Sequence, residues 1–206
     1  MKAGKLDPEK LLTAIKSRRS VRQFTDQAVE TEKLQRIIDA ARFTPTAANL
    51  QRTEYIVVQN DLKNFTRECM EELKFAAEHP DIADTPMLPR YTDKWIDLER
   101  CYREEGIDRL FYHADAVLLL LGSREMYPTG IIDAGLAASN AEMMSFAEGL
   151  GCVYVGFVQY AANTPKLRAR LNIPDTHEVV CCLAIGYPAV DFKRTAPRKI
   201  KKVNYL

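Results

Sequence analysis

"DAVLLLLG", Asp115 to Gly122, holds an uninterrupted apolar run between a carboxylate and a glycine, and "EVVCCLAIG", Glu178 to Gly186, repeats the form later in the chain. Short continuous apolar runs bounded by turn residues are the pattern of strands buried on both faces, so these two predict the centre of a sheet covered on either side. Between them "IIDAGLAASNAEMMSFAEGLG", Ile131 to Gly151, is apolar nearly all round, with Ala134, Ala137, Ala138 and Ala141 as small residues. That describes a central helix packed closely on both sides. Working outward, "EYIVVQ" (Glu54 to Gln59) and "CVYVGF" (Cys152 to Phe157) read as further strands. A first helix opens on Asp7 and Pro8, carries Leu11, Leu12, Ala14 and Ile15, and ends near Ser17. A second carries Leu34, Ile37, Ile38 and Ala41 at helical spacing until Pro45 stops it. Asp61 to Ala77 and "TPKLRARL", which opens with Thr164 and Pro165, are also helical in pattern. Residues 79–108, with Pro80, Pro86 and Pro89, receive no element and form a candidate mobile or lid region.

Composition narrows the function. A chain of 206 residues that is 47% hydrophobic can bury one sizeable core, which predicts a single domain over residues 1–206. Lys+Arg 29 against Asp+Glu 28 leaves a net charge of +1, so no general pull toward nucleic acid or anionic lipid is expected. No apolar run approaches the roughly 20 residues of a membrane span, and "MKAGKLDPEKLL" lacks the apolar core of a secretory signal. Five cysteines without paired spacing suit a reducing compartment, and a cytoplasmic location is expected. His79, His113 and His177 lie far apart and predict no metal site.

Against that near-neutral background, "KSRRSVRQFTDQ", Lys16 to Gln27, gathers Arg18, Arg19, Ser20 and Arg22. In an extended segment Arg18, Ser20 and Arg22 line one face; in a helix Arg18 and Arg22 still share one. Two readings are open. One is an exposed basic helix end that complements the macrodipole. The other is an anion pocket, since the planar guanidinium binds phosphate oxygens bidentately and a serine hydroxyl adds a donor. "PTAANLQ", Pro45 to Gln51, has small side chains at Thr46, Ala47 and Ala48 that let a ligand approach the backbone, and an amide at Asn49, though a plain helix-to-strand loop would look the same. Gly156 in "YVGFVQ" can bring a backbone N–H against a flat ligand edge. Arg198 and Lys199 end the set in a basic tail.

The order of these segments, "SRRSVRQF", "AARFTPTAANLQ", "DAGLAASNAEMMSFAEGLGCVYVGF", "LNIPDTHEVVCCLAIGYP" and the Arg-Lys tail, resembles the nitroreductase family of flavoproteins from about Leu11 onward. The resemblance implies an α+β, three-layer fold with a central, mainly antiparallel sheet flanked by helices, assembled as an intertwined homodimer. It implies one FMN per site at the subunit interface, and hydride transfer from NADH or NADPH to nitroaromatic, quinone or enone acceptors by a ping-pong route. Position by position, it implies that Arg18 and Ser20 bind the FMN phosphate with Arg19 beside them, and that Arg22 faces the pyrimidine end of the ring. Pro45, Thr46, Ala47 and Asn49 would come from the partner subunit, Val155 and Gly156 would turn backbone donors to N5 and O4, and Arg198 would close the phosphate site. No side chain is implied as a catalytic acid. The loop departs from the family where Pro and Trp often follow the glutamine: here Gln51 is followed by Arg52 and Thr53. A flavin-binding protein without turnover and a specialised enzyme of the same fold, such as a reductive dehalogenase, stand as alternatives.

Overall fold

The computed structural model describes residues 6–83 and 90–205. Along the chain run α1 (Pro8–Ser17), α2 (Thr31–Arg42), β1 (Glu54–Val58), α3 (Leu62–Glu78), the short α4 (Pro80–Ala83), α5 (Thr92–Glu105), β2 (Ala116–Ser123), α6 (Thr129–Ala147), β3 (Gly151–Tyr154), α7 (Gly156–Ala161), α8 (Pro165–Arg170) and β4 (His177–Gly186). The four strands form an antiparallel sheet in the order β1-β2-β4-β3, with the two apolar runs at its centre as their composition predicts. All eight residues of β2 are buried because both faces are covered. Val117, Leu119 and Leu121 enter a core with α3, α5, α7 and α8, while Ala116, Leu118 and Leu120 enter a second core with α2 and α6. The result is three layers, helices on sheet on helices.

Pairing shifts register between Leu120, opposite Cys181, and Leu121, opposite Val179. Val180 is the extra residue of a β-bulge, and the alternation of sides restarts across it. Val180 and the partly buried Cys181 therefore both meet the α6 core, whereas Val179 and Cys182 meet the other.

Three expectations are corrected. The strand read over "CVYVGF" ends at Tyr154, and Gly156 already opens α7. Most of residues 79–108 is helical: α5 lays Trp95, Leu98 and Cys101 inward in a segment whose dense charge hid the period. Pro86 and Pro89 lie outside the described residues. Finally, α6 is covered on one side only. Ala134, Ala137, Ala138, Ala141 and Ser145 are fully buried, while Ile132, Leu136 and Phe146 are exposed. The stripe of α1 is bare as well, with Leu11, Leu12 and Ile15 exposed and no buried residue on the helix.

Candidate functional site

Helix α1 stops at Arg18, whose ψ of 137° turns the chain into extended backbone. The segment then lies along β3: Ser20 makes a parallel bridge to Cys152, and the Val21 N–H donates to the Cys152 carbonyl at 3.0 Å. Val21 points inward at 5% exposure, which Gly151 permits, since a Cβ there would stand 2.5 Å from Val21 Cγ2. Alternation along extended backbone then leaves Ser20 and Arg22 on the outer face, and both are exposed. Arg22 lies 5.9 Å from the Tyr112 ring centroid. Arg19 is tied to the tail, donating to the Arg194 carbonyl at 3.0 Å with its guanidinium 4.5 Å over the Phe192 ring.

Arg18 has a partner that neither open reading of the arginines includes. Its Nη1 donates to Oε1 of Glu142 in α6 at 2.7 Å, and the Glu142 side chain is only 10% exposed. The pair borders a cavity of about 270 Å³ that Arg19, Cys152, Asp191 and Phe192 also line. Burial raises the Glu142 carboxyl above its ordinary value, against the opposing pull of Arg18. Burial, then the nearby Glu142 charge, pushes the Cys152 thiol up to about 12 and raises the Tyr154 phenol too.

Where β3 ends, the two backbone donors expected at Val155 and Gly156 part company. Val155 is buried and its N–H donates to the Cys182 carbonyl at 2.9 Å, completing the sheet edge, so it cannot serve a ligand. Gly156 is exposed as the first residue of α7, and its N–H has no protein acceptor among the described residues. A Cβ placed on it would meet nothing within 4 Å.

The loop after α2 is built with unusual backbone. Ala48, Asn49 and Gln51 have φ of 49°, 53° and 53°, a left-handed conformation that costs roughly 1–2 kcal/mol per non-glycine residue. Specific bonds hold it. Asp133 of α6 accepts the Ala47 N–H with both oxygens at 3.3 and 3.2 Å, and Thr46 Oγ1 accepts the Gln51 N–H at 3.0 Å. Asn140 Nδ2 donates to Thr44 Oγ1 at 2.8 Å, and His177 Nε2 lies 2.8 Å from the Arg52 carbonyl. Arg52 itself pairs with Glu125 at 2.7 Å. Pro45, Thr46 and Asn49 border a second cavity of about 890 Å³ together with Phe43 and Tyr55.

The two cavities share no lining residue. Within one chain Arg18 and Arg19 line the cavity beside β3, Ser20 and Arg22 face outward from the same segment, and Gly156 opens α7 beyond the strand, whereas Pro45, Thr46, Ala47 and Asn49 belong to a separate wall. Arg198 joins neither; it is exposed in the tail, where among the described residues its Nη1 donates to the Pro197 carbonyl. Sequence reasoning missed Asp133 and Glu142. The available signal was that they are the only charged residues of α6.

The family model described as "Nitroreductase family" matches residues 15–187. The chain is similar to an FMN reductase (NADPH) of Bacillus subtilis, 26% identical over 194 residues that cover 94% of this chain and 72% of that protein. It is also similar to a chloronitrobenzene nitroreductase of Comamonas testosteroni, 25% identical over 193 residues, covering 84% of each. In fold it matches the crystal structure of a nitroreductase with bound FMN from Bacteroides fragilis, with a TM-score of 0.70 at 22% identity, over 95% of this chain and 99% of that one.

Proposed function

The chain belongs to the nitroreductase family, and from that premise we propose that it is an FMN-dependent NAD(P)H oxidoreductase. In this reading residues 1–206 form one domain, and the acceptors are small nitroaromatic, quinone or enone molecules. Relatives named FMN reductase and chloronitrobenzene nitroreductase support the activity. The observation that carries it is the bridge of Ser20 to Cys152, which seats the Arg18 to Arg22 segment beside β3, with a Gly156 N–H that has no acceptor among the described residues where that strand gives way to α7.

These residues fit FMN. A phosphate needs clustered cations and a hydroxyl donor, which Arg18, Arg19 and Ser20 supply. A flat ring needs an edge donor with room beside it, which Gly156 supplies because no side chain fills the space over it. When bound, FMN supplies a two-electron carrier that takes charge from NAD(P)H and yields it to the acceptor. Arg22 would place positive charge beside the ring and favour the negative charge that reduction adds. Pro45, Thr46, Ala47 and Asn49 would reach the site from a second copy of the chain, since in one copy Pro45, Thr46 and Asn49 border a different cavity. Arg198 would close the phosphate end. No side chain is assigned proton transfer.

The test is chemical. Denaturing the purified protein should release FMN, identified by chromatography, and under anaerobic conditions the holoprotein should oxidise NADPH or NADH when a quinone or nitroaromatic is added. Release of FAD, or failure to bind any flavin, overturns the assignment. Tight FMN binding without turnover across the acceptor screen supports a flavin-binding protein instead.

A further inference from the structure

Glu142 is a nearly buried acid for which electron transfer has no use. Its carboxylate lies against Arg18, the group that Proposed function places on the FMN phosphate, and the inference rests on that placement. We propose that Glu142 is a positioning residue of the phosphate site: it holds Arg18 in place when the site is empty, shares it with the phosphate when FMN binds, and takes up a proton in the process.

The geometry leads there. One Arg18 nitrogen, Nη1, is committed to Glu142 at 2.7 Å, which leaves the rest of the guanidinium fork for a second anion. Two anions on one guanidinium repel, and burial prevents water from screening them. The other ionisable groups around Glu142 offer little relief. Cys152 of β3 is a thiol that burial keeps neutral, and the half-exposed Tyr154 is a phenol raised further above its already high range. The tail contributes Asp191 to the same cavity, and the segment after α1 contributes Arg19, which faces Phe192 and the Arg194 carbonyl. Burial already raises the Glu142 carboxyl in the empty site. A phosphate dianion raises it further, so protonation is the simplest way to relieve the conflict. The proton comes from solvent onto a carboxylate oxygen, and no bond to the cofactor is made or broken.

The sign follows from linkage. Where the bound state holds more protons than the empty one, affinity falls as pH rises. The phosphate's own second ionisation, near pH 6, acts in the opposite direction. Glu142→Gln keeps that contribution and removes only the carboxyl, so the comparison isolates the residue.

The experiment titrates the full chain, stripped of flavin, with FMN and with riboflavin. The expected result is that Glu142→Gln binds FMN as wild type does at about pH 5 and on the order of tenfold tighter at about pH 8, with riboflavin affinity unchanged. Calorimetry of wild type in two buffers of different ionisation enthalpy, near pH 7.5, should show proton uptake on FMN binding. That second measurement needs no variant. A wild-type to variant ratio that is flat with pH, weaker FMN binding by the variant throughout, or absence of proton uptake overturns the role of Glu142. If instead Arg18→Ala leaves FMN affinity unchanged, the phosphate placement itself is wrong.

Discussion

Asp133 and Glu142 stand in opposite halves of α6, and each carboxylate secures a different segment of the candidate site: Asp133 takes the Ala47 N–H of the loop, and Glu142 takes Arg18. The arginine cluster was legible in the sequence from its local density, but the acid opposite Arg18 lies 124 positions away and no local pattern points to it. The pairing has a consequence for stability. Arg18→Ala leaves a nearly buried carboxylate without its cation, which costs about 1–3 kcal/mol of apoprotein stability near neutral pH. The Glu142 carboxyl is already raised by burial and rises further without Arg18. Once protonated it needs no cation, so the loss should shrink as pH falls toward about 5. Urea denaturation of the flavin-free variant at about pH 5 and pH 8 measures this, and adding Glu142→Gln to Arg18→Ala should recover most of the deficit at the higher pH. An equal loss at both values would mean that Glu142 does not govern it. Val155 shows the limit in the other direction: its place after a strand was readable, but that its N–H is spent on Cys182 is a matter of register.

The elements were most legible where both faces are buried. β2 and β4 announce themselves as apolar runs, and α2 by its period, because burial there is continuous or strictly periodic. β3 was read too long because "CVYV" suits a strand locally, whereas the ladder ends at Tyr154, Val155 makes one last bond to Cys182 of β4, and α7 begins at Gly156. α5 was missed because only Trp95, Leu98, Glu99 and Cys101 are buried in a charge-rich helix. The segment carrying the arginines is seated on β3 by backbone bonding to Cys152 and by the close fit of Val21 over Gly151. Gly151→Ala places a methyl within 2.5 Å of Val21 Cγ2 and must push the segment off β3. Overpacking of this kind costs roughly 1–3 kcal/mol. Because the Arg18 to Arg22 segment is displaced as a unit, FMN affinity should fall more than overall stability suggests. Hydrogen exchange supplies the check: the Val21 amide should lose protection while amides in the centre of β2 keep theirs. Retained protection at Val21 would show that the sheet edge absorbs the methyl without moving the segment.

At the scale of the molecule, one chain leaves apolar surface bare along α1 and α6, on the face opposite the sheet, and it sets Arg18 and Arg19 on a different cavity from Pro45, Thr46 and Asn49. A homodimer that covers this face and brings the loop of one copy to the arginines of the other accounts for both. Light scattering should find a dimer, and Leu136→Glu, which sets a charge on the bare side of α6, should give monomers whose FMN affinity is lower by on the order of tenfold or more. A monomeric variant that holds FMN as tightly as wild type would separate assembly from cofactor binding. The tail beyond β4 was read as basic, with Arg198 implied to close the phosphate site; it packs on its own chain through Arg19, Phe192 and Arg194 before continuing exposed past Arg198. Exposed extended backbone is what proteases cut first, and this stretch offers trypsin Arg198, Lys199, Lys201 and Lys202 in close succession. If Arg198 closes over the phosphate, the same backbone becomes protected when the cofactor is present. The lifetime of the intact C-terminus in a timed digest then reports how much of the protein carries its flavin, without any optical signal.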